Sequence, residues 1–458
     1  MADPIRESIR HRPWWKRPIV WIMAVALVLR VLSVGLNNER MGWQNESLFA
    51  IPAMRLLEGK GLTLEDGRGP TAYRPPLYVF WLAGNYAIFG DRATFGPSLM
   101  QGLVSTLNVL LVYLLTRRLW RKEAPALIAA GLMAVHPYAL WHDPAISYTF
   151  LATSVGLAAA YALVRLVETP KPRWAFFAGA LLGLCVLLTA TVAPAIALLF
   201  VAGIIGWRVP MRQRVVLLAL VAAGIACTWG PWIVRNAIAF RAFVPLTTEA
   251  GLTLWYGNNP EASWRVPIKA HEDSPFPTGI RLAYPNRIND CVRREHCLDG
   301  ATEVQENQTL ARHAVAWITE NPTAFATLTA WRLSRLWSPF LSPAKAVIGH
   351  PFIDAMISWG YAGWTLMLYA SAAIGATALW RRGQKTITVA LFTVIVVAPS
   401  LYALFLYFTR YRIPFEMILL AFSGGGIWTA IQATKRFRAP QAQSPATIST
   451  PPTDDRGR

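Results

Sequence analysis

The sequence predicts an all-α polytopic membrane protein with about ten transmembrane helices, and three observations carry that prediction. Charged residues make up 15% of the chain and hydrophobic residues 54%, whereas a soluble domain averages about 25% charged residues. Mostly apolar runs recur along the whole length, each near the ~20 residues that cross a hydrocarbon core of about 30 Å. Lysines and arginines gather in every second gap between runs, as the positive-inside rule requires. The net charge of +19 is therefore spread over membrane-flanking turns rather than one face or domain, which excludes nucleic acid as the partner. Many of the 20 tryptophans sit near the ends of runs, where an interfacial ring is favoured.

The elements follow in order. The segment 1–18 carries Arg6, Arg10, Arg12, Lys16 and Arg17 and is placed in the cytoplasm. A first helix over 19–36 carries Arg30 and lacks a small-residue cleavage site, so it is expected to stay as a membrane helix. An outer loop over 37–94 follows. Helix 2, over 96–115, ends in Arg117, Arg118, Arg121 and Lys122. Helices 3 and 4, over 125–140 and 145–166, are joined outside by a short link through His142 and Asp143. Helices 5 and 6 cover 174–189 and 192–207, and helix 7 covers 215–234. A second outer loop spans 235–348. Helices 8, 9 and 10 lie within 355–380, 387–407 and 413–431, with Arg410, Tyr411 and Arg412 in the outer link before the last. The membrane domain thus covers 19–434, and the Pro-, Ser- and Thr-rich tail 435–458 reads as disordered and cytoplasmic. Within the outer loops, 46–59 reads as an amphipathic helix lying on the membrane surface through Leu48, Phe49, Ile51, Met54 and Leu57. The stretch 323–339 is a second, less regular one, interrupted by Arg332 and Arg335.

Four stretches then resemble one family: Asn45-Glu46-Ser47-Leu48-Phe49 with Arg55 to Gly61; Tyr73-Arg74-Pro75-Pro76-Leu77-Tyr78 running to Phe89-Gly90; Pro231-Trp232-Ile233-Val234-Arg235-Asn236 with Phe243 to Thr247 and Gly257-Asn258-Asn259-Pro260; and Arg410-Tyr411-Arg412-Ile413-Pro414. They are similar to bacterial membrane glycosyltransferases related to protein O-mannosyltransferases and to the lipid A aminoarabinose transferases. The resemblance implies a GT-C fold in the cell inner membrane, with an active site facing the periplasm under the first outer loop. It implies a polyprenyl phosphate sugar as donor, a lipid, glycan or protein hydroxyl as acceptor, and inversion at the anomeric carbon. A flippase for lipid-linked sugars, or an inactive lipid-binding relative, is the alternative.

Such a transfer needs a carboxylate to take the acceptor's proton or to support charge at the anomeric carbon. It also needs cations for the departing phosphate. Glu46 and Asp143 are the carboxylate candidates. The family's usual Asp-Glu pair appears here as Asn45-Glu46, so the residue generally held to be the base is replaced, and Tyr148 falls where relatives often carry a further acid. As helix residues, Asn45 would simply cap and Glu46 favour the dipole, and Asp143 would be a solvated turn residue. Arg74, held extended before two prolines, and Arg410 with Arg412, as a fork, are the candidates for the donor phosphate; snorkelling is the alternative for the last two. His142 as a proton relay and Arg235 at the start of the second loop are supporting candidates, and Gly257 to Pro260 reads as a structural turn. A divalent cation is conceivable from the resemblance, but no His, Cys or Asp spacing fits zinc. Cys185 and Cys227 read as buried apolar residues, whereas Cys291 and Cys297, in the outer loop of an oxidising compartment, are expected to form a disulfide.

Overall fold

A computed structural model describes residues 17–36, 47–64, 69–90, 94–143, 145–207, 209–260, 262, 302–340 and 351–438. Asn45, Glu46, Cys291 and Cys297 lie outside the described residues, and with them the expected disulfide. The described chain is helical: α1 Pro18–Leu36, α2 Ser47–Leu57, α3 Pro76–Phe89, α4 Phe95–Trp120, α5 Glu123–Ala134, α6 Pro137–His142, α7 Thr149–Glu168, α8 Pro172–Val186, α9 Val192–Gly206, α10 Met211–Phe240, α11 Ala250–Gly257, α12 Glu303–Glu320, α13 Pro322–Leu336, α14 Pro351–Arg381, α15 Lys385–Ser400 with a 3-10 turn Leu401–Leu404, and α16 Thr409–Arg438.

Among the described residues, eight helical stretches are at least 18 residues long and apolar enough to cross a membrane. The pair expected over 174–189 and 192–207 is present as α8 and α9, but each has only 15 residues. Such a helix is about 22 Å long, short of a full span. α16 is the central post, with 78% of its apolar window buried, against 22% for α1 and 28% for α10 at the periphery. That peripheral place explains why Cys227 on α10 is exposed, contrary to the expectation, while Cys185 is buried. Small residues let the helices close. A Cβ on Gly179 of α8 would lie 2.0 Å from the Val221 carbonyl oxygen of α10, and one on Gly426 of α16 would lie 1.8 Å from the Ser371 carbonyl oxygen of α14. Without a hydrophobic drive in lipid, such backbone proximity supplies the dispersion that holds spans together.

The described parts of the two long inter-helix segments are folded onto the bundle. α2 does not lie free on a surface: Phe49, Ala50 and Ala53 pack on Tyr78, Val79 and Leu82 of α3 and on Phe150 of α7. α3 itself is a departure from the expected polar loop. Pro75 is extended (φ −56°, ψ 137°), as the double proline requires, but Pro76 then starts a 14-residue apolar helix, where its missing N–H costs nothing. The turn 71–74 is fastened to the second segment. Ala72 N donates to Glu303 Oε1 at 3.0 Å, Thr248 N donates to Ala72 O at 3.1 Å, and Arg235 donates to Thr71 O at 2.9 Å. α12 starts on a Thr302–Gln305 capping box.

Candidate active site

Where these segments meet the ends of α7 and α16, cations, a carboxylate and aromatic rings from distant parts of the chain converge. Arg74 stands one residue before the extended Pro75. One of its terminal nitrogens donates to both oxygens of Glu249, each at 2.7 Å. Glu249 occupies the residue before α11, a position where the helix dipole favours an anion. The guanidinium also lies 5.4 Å from the Phe49 ring centroid and 5.3 Å from that of Tyr73. Burial works against the Arg74 charge, but Glu249, followed by Tyr73, outweighs it and holds the arginine's pKa above its ordinary value. Burial pushes the Glu249 carboxyl above the usual carboxylate range, and Arg74 and Arg410 offset that only in part. The side chains of the pair keep 16% and 22% of their surface exposed, so a ligand can reach them.

Arg410 enters from the first turn of α16, lying 4.8 Å from the Phe408 ring centroid and 5.5 Å from that of Tyr411. Tyr411 stacks on Tyr402 at 3.9 Å with the planes 10° apart. Tyr148 completes this wall, 6.1 Å from Phe49 and electrostatically coupled to Arg74.

Arg410 and Arg412 do not form a fork. Both lie in a helical turn rather than a link, and residues two apart on a helix point about 200° apart. Arg412 is buried and spends its donors on the protein: on Glu416 at 2.8 Å, the Leu336 and Ser338 carbonyls at 2.8 and 2.6 Å, and the Tyr361 hydroxyl at 3.0 Å. Asp143 is likewise buried, not a solvated turn residue. It accepts from Ser105 and faces Arg30 at 3.4 Å, tying α1 to α4 and to the end of α6. His142 stacks on Tyr138 at 5.1 Å. Arg235 holds Thr71 and lies 5.1 Å from the Trp232 ring centroid, so it positions the turn that carries Arg74.

Glu249 escaped the sequence reading, as did the burial of Arg332 and the partner of Glu416. Glu249 is the one acid in 235–260, and it directly precedes a helix; that was its available signal. Arg332 of α13, expected to break an apolar face, is buried; it donates to the Gly257 carbonyl and to Asn258 Oδ1 at 3.2 Å and reaches the Ala403 carbonyl at 3.4 Å. Burial lowers its pKa to about 10. His136 and Glu416, both fully buried, face each other at 3.8 Å. Asn258 donates to Leu254 O and Leu404 O, each at 2.9 Å, as a structural turn should. Among the described residues no three His, Cys, Asp or Glu side chains form a metal-binding group.

Residues 73–233, from the neighbour of Arg74 to α10, match the dolichyl-phosphate-mannose-protein mannosyltransferase family model. A comparison with curated proteins finds no match. Among solved structures, the archaeal oligosaccharyltransferase AglB from Archaeoglobus fulgidus, in complex with an inhibitory peptide and a dolichol-phosphate, superposes with a TM-score of 0.55 at 15% identity over 95% of this chain and 53% of that one. The apo form of the Archaeoglobus fulgidus oligosaccharyltransferase gives 0.53 at 15% identity, over 93% and 52% of the two chains. ArnT from Cupriavidus metallidurans bound to undecaprenyl phosphate gives 0.40 at 16% identity, over 93% and 81%. The chain spans about half the length of the archaeal enzymes. The dolichyl-phosphate-mannose-protein mannosyltransferase model thus matches the chain from the Arg74 turn through α10, and the bundle as a whole shares the fold of the archaeal oligosaccharyltransferase.

Proposed function

We propose that the protein transfers a sugar, with inversion, from a polyprenyl phosphate to a hydroxyl of a lipid, glycan or protein, at the periplasmic face of the bacterial inner membrane. The carrying observation is the cluster of Arg74, Glu249 and Arg410 at one end of a membrane bundle, reachable from outside the protein. A lipid-linked donor reaches only a site near the membrane interface, and two arginines suit its phosphate. The distribution of basic residues supports the orientation, since the turns at the opposite end carry Arg117, Arg118, Arg121 and Lys122, and then Arg381, Arg382 and Lys385. In this reading Arg74 and Arg410 hold the phosphate and stabilise it as it leaves. Arg412 and Asp143 maintain the bundle that presents them. Glu46, one residue before α2, supports the positive charge at the anomeric carbon.

The test uses purified protein, labelled polyprenyl phosphate sugars of several kinds, and a lipid extract as acceptor. The wild type should transfer label. Arg74→Ala should weaken donor binding about ten- to a hundredfold, the scale of a lost charge-assisted hydrogen bond. Donor affinity unchanged by that substitution removes Arg74 from the phosphate site. Movement of the donor across the bilayer without transfer identifies a flippase instead.

A further inference from the structure

We propose that Glu249 is the carboxylate that yields Arg74 to the donor's phosphate and then takes the proton of the attacking hydroxyl, an assignment that rests on the glycosyl-transfer reading above. The sequence makes the question sharp: the first segment carries Asn45 where a carboxylate was expected. Among the described residues, Glu249 is the acid that meets Arg74, and it also lies within the electrostatic reach of Arg410.

Its setting suits a group that changes partner without the fold moving. The preceding residue, Thr248, is fixed by its bonds to Ala72 and Glu303, and α11 begins immediately after it. Only the side chain has to turn. Both members of the pair are partly exposed, at 16% and 22%, so a phosphate can compete for the same guanidinium.

Charge balances through the step. A polyprenyl phosphate sugar is a monoanionic diester, so Arg74 and Arg410 match it together with ionised Glu249. The hydroxyl oxygen forms its bond to the anomeric carbon, and the bond from that carbon to the phosphate oxygen breaks. The electron pair leaves with the phosphate, which becomes a dianion between the two arginines. The hydroxyl proton passes to Glu249, which becomes neutral. Burial already favours the protonated carboxyl, against the opposing pull of Arg74 and Arg410. Handing Arg74 to the phosphate weakens that pull, so the carboxylate becomes a stronger base as the donor seats.

The experiment compares full-length wild type, Glu249→Gln, Glu249→Ala and Arg74→Ala in lipid nanodiscs. The first measurement is binding of undecaprenyl phosphate, which needs neither sugar nor acceptor. Glu249→Gln frees Arg74 and should bind about three- to tenfold more tightly than wild type, whereas Arg74→Ala should bind more weakly. The second is transfer from the labelled donors: Glu249→Gln should lose about 10²–10⁴-fold in kcat, the contribution of a general base. Added formate should restore part of the activity of Glu249→Ala, which a merely structural role would not allow. In wild type, kcat should fall on the acidic side of a pH above the usual carboxylate range, and that limb should be missing from the residual activity of Glu249→Gln. Transfer by Glu249→Gln at the wild-type rate, or weaker binding of undecaprenyl phosphate by it, overturns the assignment while leaving the glycosyl-transfer reading in place. A wild type that binds no polyprenyl phosphate brings down that reading and this one together.

Discussion

Arg410 and Arg412 illustrate how little residue type says about role. They share one helical turn, yet one faces the candidate site and the other is fixed to Glu416, Tyr361 and two carbonyls inside the bundle. Arg410→Ala should therefore weaken polyprenyl phosphate binding about ten- to a hundredfold with a much smaller effect on stability. Arg412→Met leaves Glu416 buried beside His136, and should cost about 3–5 kcal/mol, the usual penalty for stranding one member of a buried ion pair. Thermal unfolding in detergent together with a binding isotherm separates the two outcomes; equal loss of stability in both variants counts against the division. The sequence showed two arginines before Ile413-Pro414 and suggested a non-helical link. The helix starts earlier, at Thr409, and carries Pro414 within it. That shift alone turns a fork into two residues with opposite directions. The burial of Asp143, a carboxylate candidate, was missed for a related reason: a short link before Pro144 resembles a solvated turn unless the buried partner, Arg30, is known.

At the scale of elements, backbone approach and buried cations such as Arg332 hold the parts in register. Gly426→Ala puts a methyl carbon 1.8 Å from the Ser371 carbonyl oxygen, where no side chain can move aside. It should cost about 1–3 kcal/mol as α14 and α16 are pushed apart. Gly363→Ala, also in α14, meets nothing within 4 Å and should be neutral or stabilising by up to about 1 kcal/mol. Equal melting shifts for the two would refute close packing at the α14–α16 contact. Arg332→Met should be at least as damaging, since it withdraws donors from Gly257, Asn258 and Ala403 together; about 2–4 kcal/mol is the scale for several buried acceptors. Long, apolar helices were legible in the sequence because their length and periodicity are set by the bilayer. α3 was hidden by the very prolines that begin it, and α12 by its polarity. The burial of Arg332 could not be read at all, because its acceptors come from α11 and from the turn after α15.

For the whole molecule, the distribution of basic residues supports the orientation proposed above. A reporter active only outside the cytoplasm should work when fused after Asn259 and fail after Arg382. The reverse pattern would put the Arg74–Glu249 cluster on the cytoplasmic side and exclude a periplasmic reaction. The order of the long spans was legible, because it depends on local composition. The site was only half legible, because residues 74, 148, 249, 402 and 410 are scattered through the chain and meet only by tertiary folding.

The central burial of α16 also bears on how such a molecule could diverge. The helix that delivers Arg410 is packed along most of its length, whereas Arg74 and Glu249 are delivered by segments resting on one another at the rim. One side of the proposed clamp is thus part of the central frame, and the other is built from rim segments fastened to one another. In the proposed reading, substitutions among the rim segments would move Arg74 and Glu249 together, whereas Arg410 would keep its place in the frame.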